Sequence, residues 1–187
     1  MKYEAVVIGV SMGGLAALRE ILSKLPATFP WPIIIVQHIS PQSDSLWISI
    51  LDRITALTVR EAEEKDAIKP GFVYLAPPNY HLLVEKNRTF SLSADDKVNY
   101  ARPSIDVLFE SAADAYKHNL IGVILTGANH DGAKGLKAIQ DYGGLVIVQD
   151  PQTAEAQMMP KAAIQLTKTN YVFSLQKIVD LLILLSA

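Results

Sequence analysis

Three residues whose types combine to hydrolyse esters stand just beyond three apolar runs: Ser11, His38 and Asp131. A serine hydroxyl is a poor nucleophile until an imidazole takes its proton. The imidazole in turn needs a carboxylate to fix its tautomer and to stabilise the cation it becomes. The serine lies in Gly9-Val10-Ser11-Met12-Gly13-Gly14, between the apolar run Ala5–Ile8 and a stripe of Leu15, Leu18, Leu22 and Leu25. That change of period predicts a strand, a tight glycine turn and a helix. The helix N-terminus then presents free N–H groups and its positive dipole end beside the serine, where negative charge on oxygen is stabilised. Phosphate cradling and nucleophilic catalysis both use such a turn. By spacing alone a serine there is more often a structural cap than a nucleophile. Asp150, also just past an apolar run, competes with Asp131 for the acid, although the following Pro151 suits it to a turn.

The elements that must position these residues follow from the rest of the pattern. Ile33–Val36 is a continuous β-branched run, as in strands covered on both faces, and it leads into Gln37-His38. A polar loop, Ser40 to Asp44, and a helix from Leu46 to Ile54 come next. Thr58–Glu61 and Phe72–Ala76 read as strands, with the acidic run Glu61 to Asp66 as a solvated loop between them. His81–Glu85 and Thr89–Ser93 alternate around Lys86-Asn87-Arg88, an antiparallel hairpin. Ser104 is expected to cap a helix carrying Asp106 in its first turn and Ile105, Leu108, Phe109 and Ala112 on its buried stripe. Strand Leu120–Leu125, a helix ending at Gly143-Gly144, strand Leu145–Val148, helix Pro160–Leu166, strand Tyr171–Phe173 and helix Ser174–Leu185 complete the chain. This alternation predicts an α/β fold: a doubly wound, mainly parallel sheet with helices on both faces, one antiparallel hairpin, and a site at the strands' C-terminal ends.

Composition narrows the classes. The 187 residues suit one domain, 1–187, and half of them are hydrophobic, as a globular core requires. A net charge of −2 with no basic run gives nucleic-acid binding no electrostatic support. With no cysteine there are no disulfides, thiolate metal sites or cysteine nucleophiles, which agrees with a cytoplasmic setting. The apolar tail Ile178–Leu185 is interrupted by Asp180 and falls short of the ~20 residues of a membrane span, so no membrane insertion is expected.

Several blocks in order carry a family resemblance: Gly9 to Gly14, Val36-Gln37-His38, Leu75-Ala76-Pro77, His81, Arg102 to Phe109, Gly122 to Gly127, Asp131-Gly132-Ala133, Gly135-Leu136 and Met159-Pro160. Together, from about Val6 to Phe173, they resemble the catalytic domain of the chemotaxis receptor methylesterases, the CheB family. The resemblance implies hydrolysis of glutamyl methyl esters on chemoreceptor cytoplasmic domains, and deamidation of receptor glutamines in many members. By position it makes Ser11 the nucleophile, His38 the general base and Asp131 its orienting acid. It puts the oxyanion donor in the loop before that acid, near Ala128 and Asn129, with Met12 beside the nucleophile. It needs no metal or organic cofactor. His81, Arg102, His130 and Met159 are further residues expected within reach of substrate, while His118 is read as structural.

Two features depart from the family pattern. Met12 stands where threonine or alanine is commoner, and Ala128-Asn129-His130 replaces the usual Met-Gly-x. No receiver domain precedes the first strand in this sequence, so the chain is expected to act alone, to be regulated by a separate partner, or to be cut from something larger. A member that docks on receptors without catalysis is the alternative within the family. A nucleotide-binding module is the alternative outside it, since Gly9 to Gly14 loosely resembles the dinucleotide fingerprint.

Overall fold

A computed structural model describes residues 2–38 and 46–187. Seven parallel strands form one sheet in the order β3-β4-β2-β1-β7-β8-β9. They are β1 (Ala5–Val10), β2 (Ile33–Gln37), β3 (Thr58–Glu61), β4 (Phe72–Leu75), β7 (Leu120–Ile124), β8 (Leu145–Gln149) and β9 (Val172–Phe173). The antiparallel pair β5 (His81–Val84) and β6 (Phe90–Ser93) stands apart as the expected hairpin. The helices are α1 (Gly14–Leu22), α2 (Leu46–Asp52), α3 (Ile105–Tyr116), α4 (Ala133–Asp141), α5 (Met158–Thr167) and α6 (Leu175–Ser186).

Alternate residues of β1 build the two layers. Val6, Ile8 and Val10 face a cluster with Leu18 and Ile21 of α1 and Ile178 and Leu182 of α6. Ala5 and Val7 face a second cluster with Leu108 and Phe109 of α3 and Leu136 and Ile139 of α4. Every residue of β1 and β2 is buried, as a central parallel strand covered on both faces requires. Gly9 lets the N-terminus of α3 settle directly on the strand, because a Cβ at this position would collide with Ile105. That close approach brings α3 to the site.

The winding direction changes between β1 and β7. From β1 the chain builds outward through β2 towards β4 and β3; from β7 it builds the other way through β8 and β9. A crevice opens at such a switch point, beyond the strands' C-terminal ends. Ser11 follows β1, His38 follows β2, and Asp131 follows the loop after β7.

Most boundaries agree with the sequence reading within one or two residues. Strand β1 runs on to Val10, and α2 stops at Asp52, before Ile54. Helix α5 starts at Met158 rather than Pro160, because proline is tolerated in a first turn where its missing N–H costs nothing. The polar loop Ser40 to Asp44 lies outside the described residues. Among the described residues no helix is long and apolar enough to cross a membrane.

Candidate active site

Register brings the serine and the histidine together. Val10 pairs with Gln37 at the end of β1 and β2, so Ser11 and His38 are the next residues along neighbouring strands. The His38 N–H donates to the Val10 carbonyl (3.1 Å), and the Ser11 N–H donates to the Thr126 carbonyl beyond β7 (3.0 Å). Gln37 ties the turn further: its Nε2 donates to the carbonyls of both Ser11 and His38, at 2.9 Å each. Beyond Ser11 the chain reverses through Gly13, whose φ of +78° is left-handed and natural for glycine. The Met12 and Gly13 N–H groups make no hydrogen bond among the described residues. They lie at the start of α1, where a developing oxyanion would gain from both donors and dipole.

Asp131 is buried beneath the histidine. Its Oδ2 accepts from His38 Nε2 (2.8 Å) and from the Ile105 N–H (2.6 Å). Its Oδ1 accepts from Asn99 Nδ2 (2.8 Å), Ser104 Oγ (2.8 Å) and the Asp106 N–H (3.2 Å). Burial pushes this carboxyl up, but hydrogen bonds from His38, Asn99, Ile105 and Ser104 outweigh it, and Asp131 sits below its ordinary value. The carboxylate therefore stays ionised and can only accept, which puts a proton on His38 Nε2. Nδ1 is left as the basic nitrogen, and it accepts from Asn129 Nδ2 at 3.0 Å.

The N-terminus of α3 contributes more than sequence spacing suggests. Ser104 occupies the cap position, as expected, but makes no side-chain cap bond of its own. Its hydroxyl goes to Asp131, and the Asp131 carboxylate instead caps α3 from outside through the Ile105 and Asp106 N–H groups. The anion and the helix dipole thus stabilise each other. Asp106 is buried nearby and is pushed up by desolvation, with the Asp131 charge adding to the rise. Asn99 Nδ2 sits between the two carboxylates and donates to both.

Ser11 and His38 line a cleft of about 360 Å³ together with Asn99, Tyr100, Arg102 and Asn129. On their other side they border a hollow lined by Met12, Arg19, Trp47 and Glu155. Arg102 lies in the cleft wall and donates through Nη1 to the Ala94 and Asp95 carbonyls, rather than forming a salt bridge. Met12 is exposed at the rim, and its carbonyl accepts from Thr126 Oγ1.

Two other expected substrate contacts, His81 and Met159, are corrected. His81 is only 2 % exposed, and both of its ring nitrogens are engaged, one by the Ser104 N–H and one by the Asp96 carbonyl. It buttresses the start of α3. Met159 is buried at 1 % and packs beneath Gly127, whose missing side chain leaves room for the sulfur. Ala128 and His130 are exposed and line a groove with Met158 and Lys161, in the loop that passes beside Ser11 at Gly127. Asp150 accepts from the Gln152 N–H in a turn, so Asp131 is the carboxylate on the histidine.

Asn99, Ser104, Gln37 and Thr126 were not legible as site residues. They act by holding the backbone and carboxylate of residues that were, and only tertiary contact shows it.

Residues 6–182 match the model of the CheB methylesterase family. The chain belongs to that family. A Leptospira interrogans protein, provisionally named protein-glutamate methylesterase/protein-glutamine glutaminase, is 58% identical over 183 residues, 98% of this chain and 95% of its own length. The Thermotoga maritima protein-glutamate methylesterase/protein-glutamine glutaminase is 42% identical over 181 residues, and the match spans 53% of that longer relative. The crystal structure of the Thermotoga maritima CheB methylesterase catalytic domain superposes with a TM-score of 0.93 at 41% identity, covering 98% of each chain. Family membership replaces the nucleotide-binding reading. At the end of β2, where a ribose-binding acid would be needed, this chain has Gln37 bound to backbone.

Proposed function

We propose that this chain hydrolyses glutamyl methyl esters on the cytoplasmic helices of chemoreceptors, with Ser11 as nucleophile, His38 as general base and Asp131 as the acid that orients it. The observation that carries the reading is the 2.8 Å bond from His38 Nε2 to a buried, five-fold hydrogen-bonded Asp131 carboxylate, in a cleft that Ser11 shares. With Nε2 held, Nδ1 takes the Ser11 proton as Oγ attacks the ester carbonyl. The oxyanion is met by backbone N–H groups, with Met12 following the nucleophile as in serine-hydrolase elbows. Methanol leaves with the proton returned by His38. Water, deprotonated by the same nitrogen, then cleaves the acyl-enzyme to free Ser11 and a glutamate carboxylate.

A receptor glutamine can follow the same path with ammonia as the leaving group, and the shared methylesterase/glutaminase name of the relatives supports including it. The substrate is cytoplasmic, and so is the place of action. Incubating the protein with a methylated chemoreceptor fragment and following each peptide by mass spectrometry tests this. Conversion of methyl glutamate to glutamate at defined helical sites is expected; a fragment that keeps every ester after prolonged incubation contradicts it.

A further inference from the structure

The histidine holds a second polar partner that the hydrolytic scheme does not use. Asn129 Oδ1 accepts from the Asp131 N–H at 3.0 Å, and a backbone N–H can only donate. The amide orientation is thereby fixed, and it is Nδ2 that faces His38 Nδ1 at 3.0 Å. Nε2 is already committed to Asp131. A neutral imidazole has one lone pair, in the ring plane on its unprotonated nitrogen. Here that lone pair is filled by Asn129. The Ser11 hydroxyl makes no hydrogen bond to the ring, nor to any other described residue.

Given the reading of His38 as the base for Ser11, we propose that Asn129 is a latch on that base. In the resting protein its amide occupies Nδ1, and proton transfer from Ser11 requires the amide to swing away. Asn129 is suited to this because the contact it must give up is a single neutral hydrogen bond at a half-buried, loop-borne side chain. Its Oδ1 bond to the Asp131 N–H keeps it close, so the latch closes again when the site empties. Asn129 acts through His38 and is a positioning residue. Its effect is to keep the serine unactivated until a bound substrate displaces the amide.

The test compares the whole chain with its Asn129→Ala and Asn129→Gly variants, using a small organophosphonate ester that labels activated serines. Labelling needs the nucleophile and its base but no receptor docking. If Asn129 is a latch, both variants label at Ser11 faster than the native chain, by about fivefold for the release of one neutral hydrogen bond. The 15N resonance of His38 Nδ1 in the variants then moves as loss of the Asn129 donor requires, and it is the faster labelling that a merely structural role would not produce. Labelling unchanged or slowed in both variants, with the native chain reactive, overturns the latch and leaves the triad standing; a slowing would make Asn129 a helper of attack. Absence of Ser11 labelling in all three chains overturns the hydrolytic reading and the latch with it. A native His38 protonated at Nδ1 overturns the latch whatever the rates.

Discussion

The Asp131 carboxylate accepts from five groups, and only one of them is the histidine. Replacing it with asparagine would put an N–H where every neighbour donates, and would also allow the wrong imidazole tautomer. Asp131→Asn is therefore expected to lower turnover by ~10⁴-fold, as loss of the orienting acid does in serine hydrolases. Asp150→Asn, away from the site, should leave turnover near the native value. Steady-state methanol release from the two variants checks the pair, and a crippled Asp150 variant beside a normal Asp131 variant would contradict the assignment.

The same carboxylate sets an acid dependence of stability. Because its folded value is lowered, Asp131 contributes stability that is complete above the unfolded carboxylate range, about pH 4, and is lost as pH falls through the lower folded value. Asp106 has the opposite sign: its value is raised, so its ionisation costs stability that returns as pH falls through the raised value. Denaturant unfolding followed downward from about pH 5 should show a shallower loss in Asp131→Asn than in the native chain. An identical slope in the two would mean that Asp131 is not the group being protonated.

Among the connecting segments, the turn at Val98–Ala101 carries a cost without a local gain. Val98 and Ala101 exchange backbone hydrogen bonds, and the two residues between them, Asn99 and Tyr100, have φ of +51° and +63°. This mirror-image turn suits Asn at the first position and Gly at the second. Asn99 recovers its place by bridging Asp106 and Asp131, but Tyr100 is 97 % exposed. Tyr100→Gly should thus relieve left-handed strain and raise stability by about 0.5–1 kcal/mol, or roughly 2 °C in Tm. Asn99→Ala should do the reverse, costing about 1–2 kcal/mol by leaving two buried carboxylates without their shared donor. Thermal unfolding of both variants decides it; a lower Tm for Tyr100→Gly would mean that the turn is not strained there.

Taken as one object, the fold was largely legible because its signals are local. Continuous β-branched runs such as Ile33–Val36 mark strands buried on both faces, and the change to helical spacing after Gly14 marks the first crossover. Ser11, His38 and Asp131 were legible because each follows a strand or its loop at the sheet's C-terminal edge, and a doubly wound sheet collects those ends at its switch point. The supporting layer was not. Whether Ser104 caps its own helix or binds Asp131, and whether His81 faces the cleft or the core, depends on how α3 settles over Gly9 and the β5–β6 hairpin, which no spacing encodes. Met159 was misplaced for a related reason: α5 begins before Pro160, which turns that side chain inward under Gly127.

If Ser11 carries the hydrolysis, methanol release from a methylated chemoreceptor cytoplasmic fragment depends on its hydroxyl, and comparing the native chain with Ser11→Ala measures that dependence. Steady release by the native chain and none above background in the variant is expected, with unchanged circular dichroism. Release that persists in a folded Ser11→Ala variant would contradict that role for Ser11.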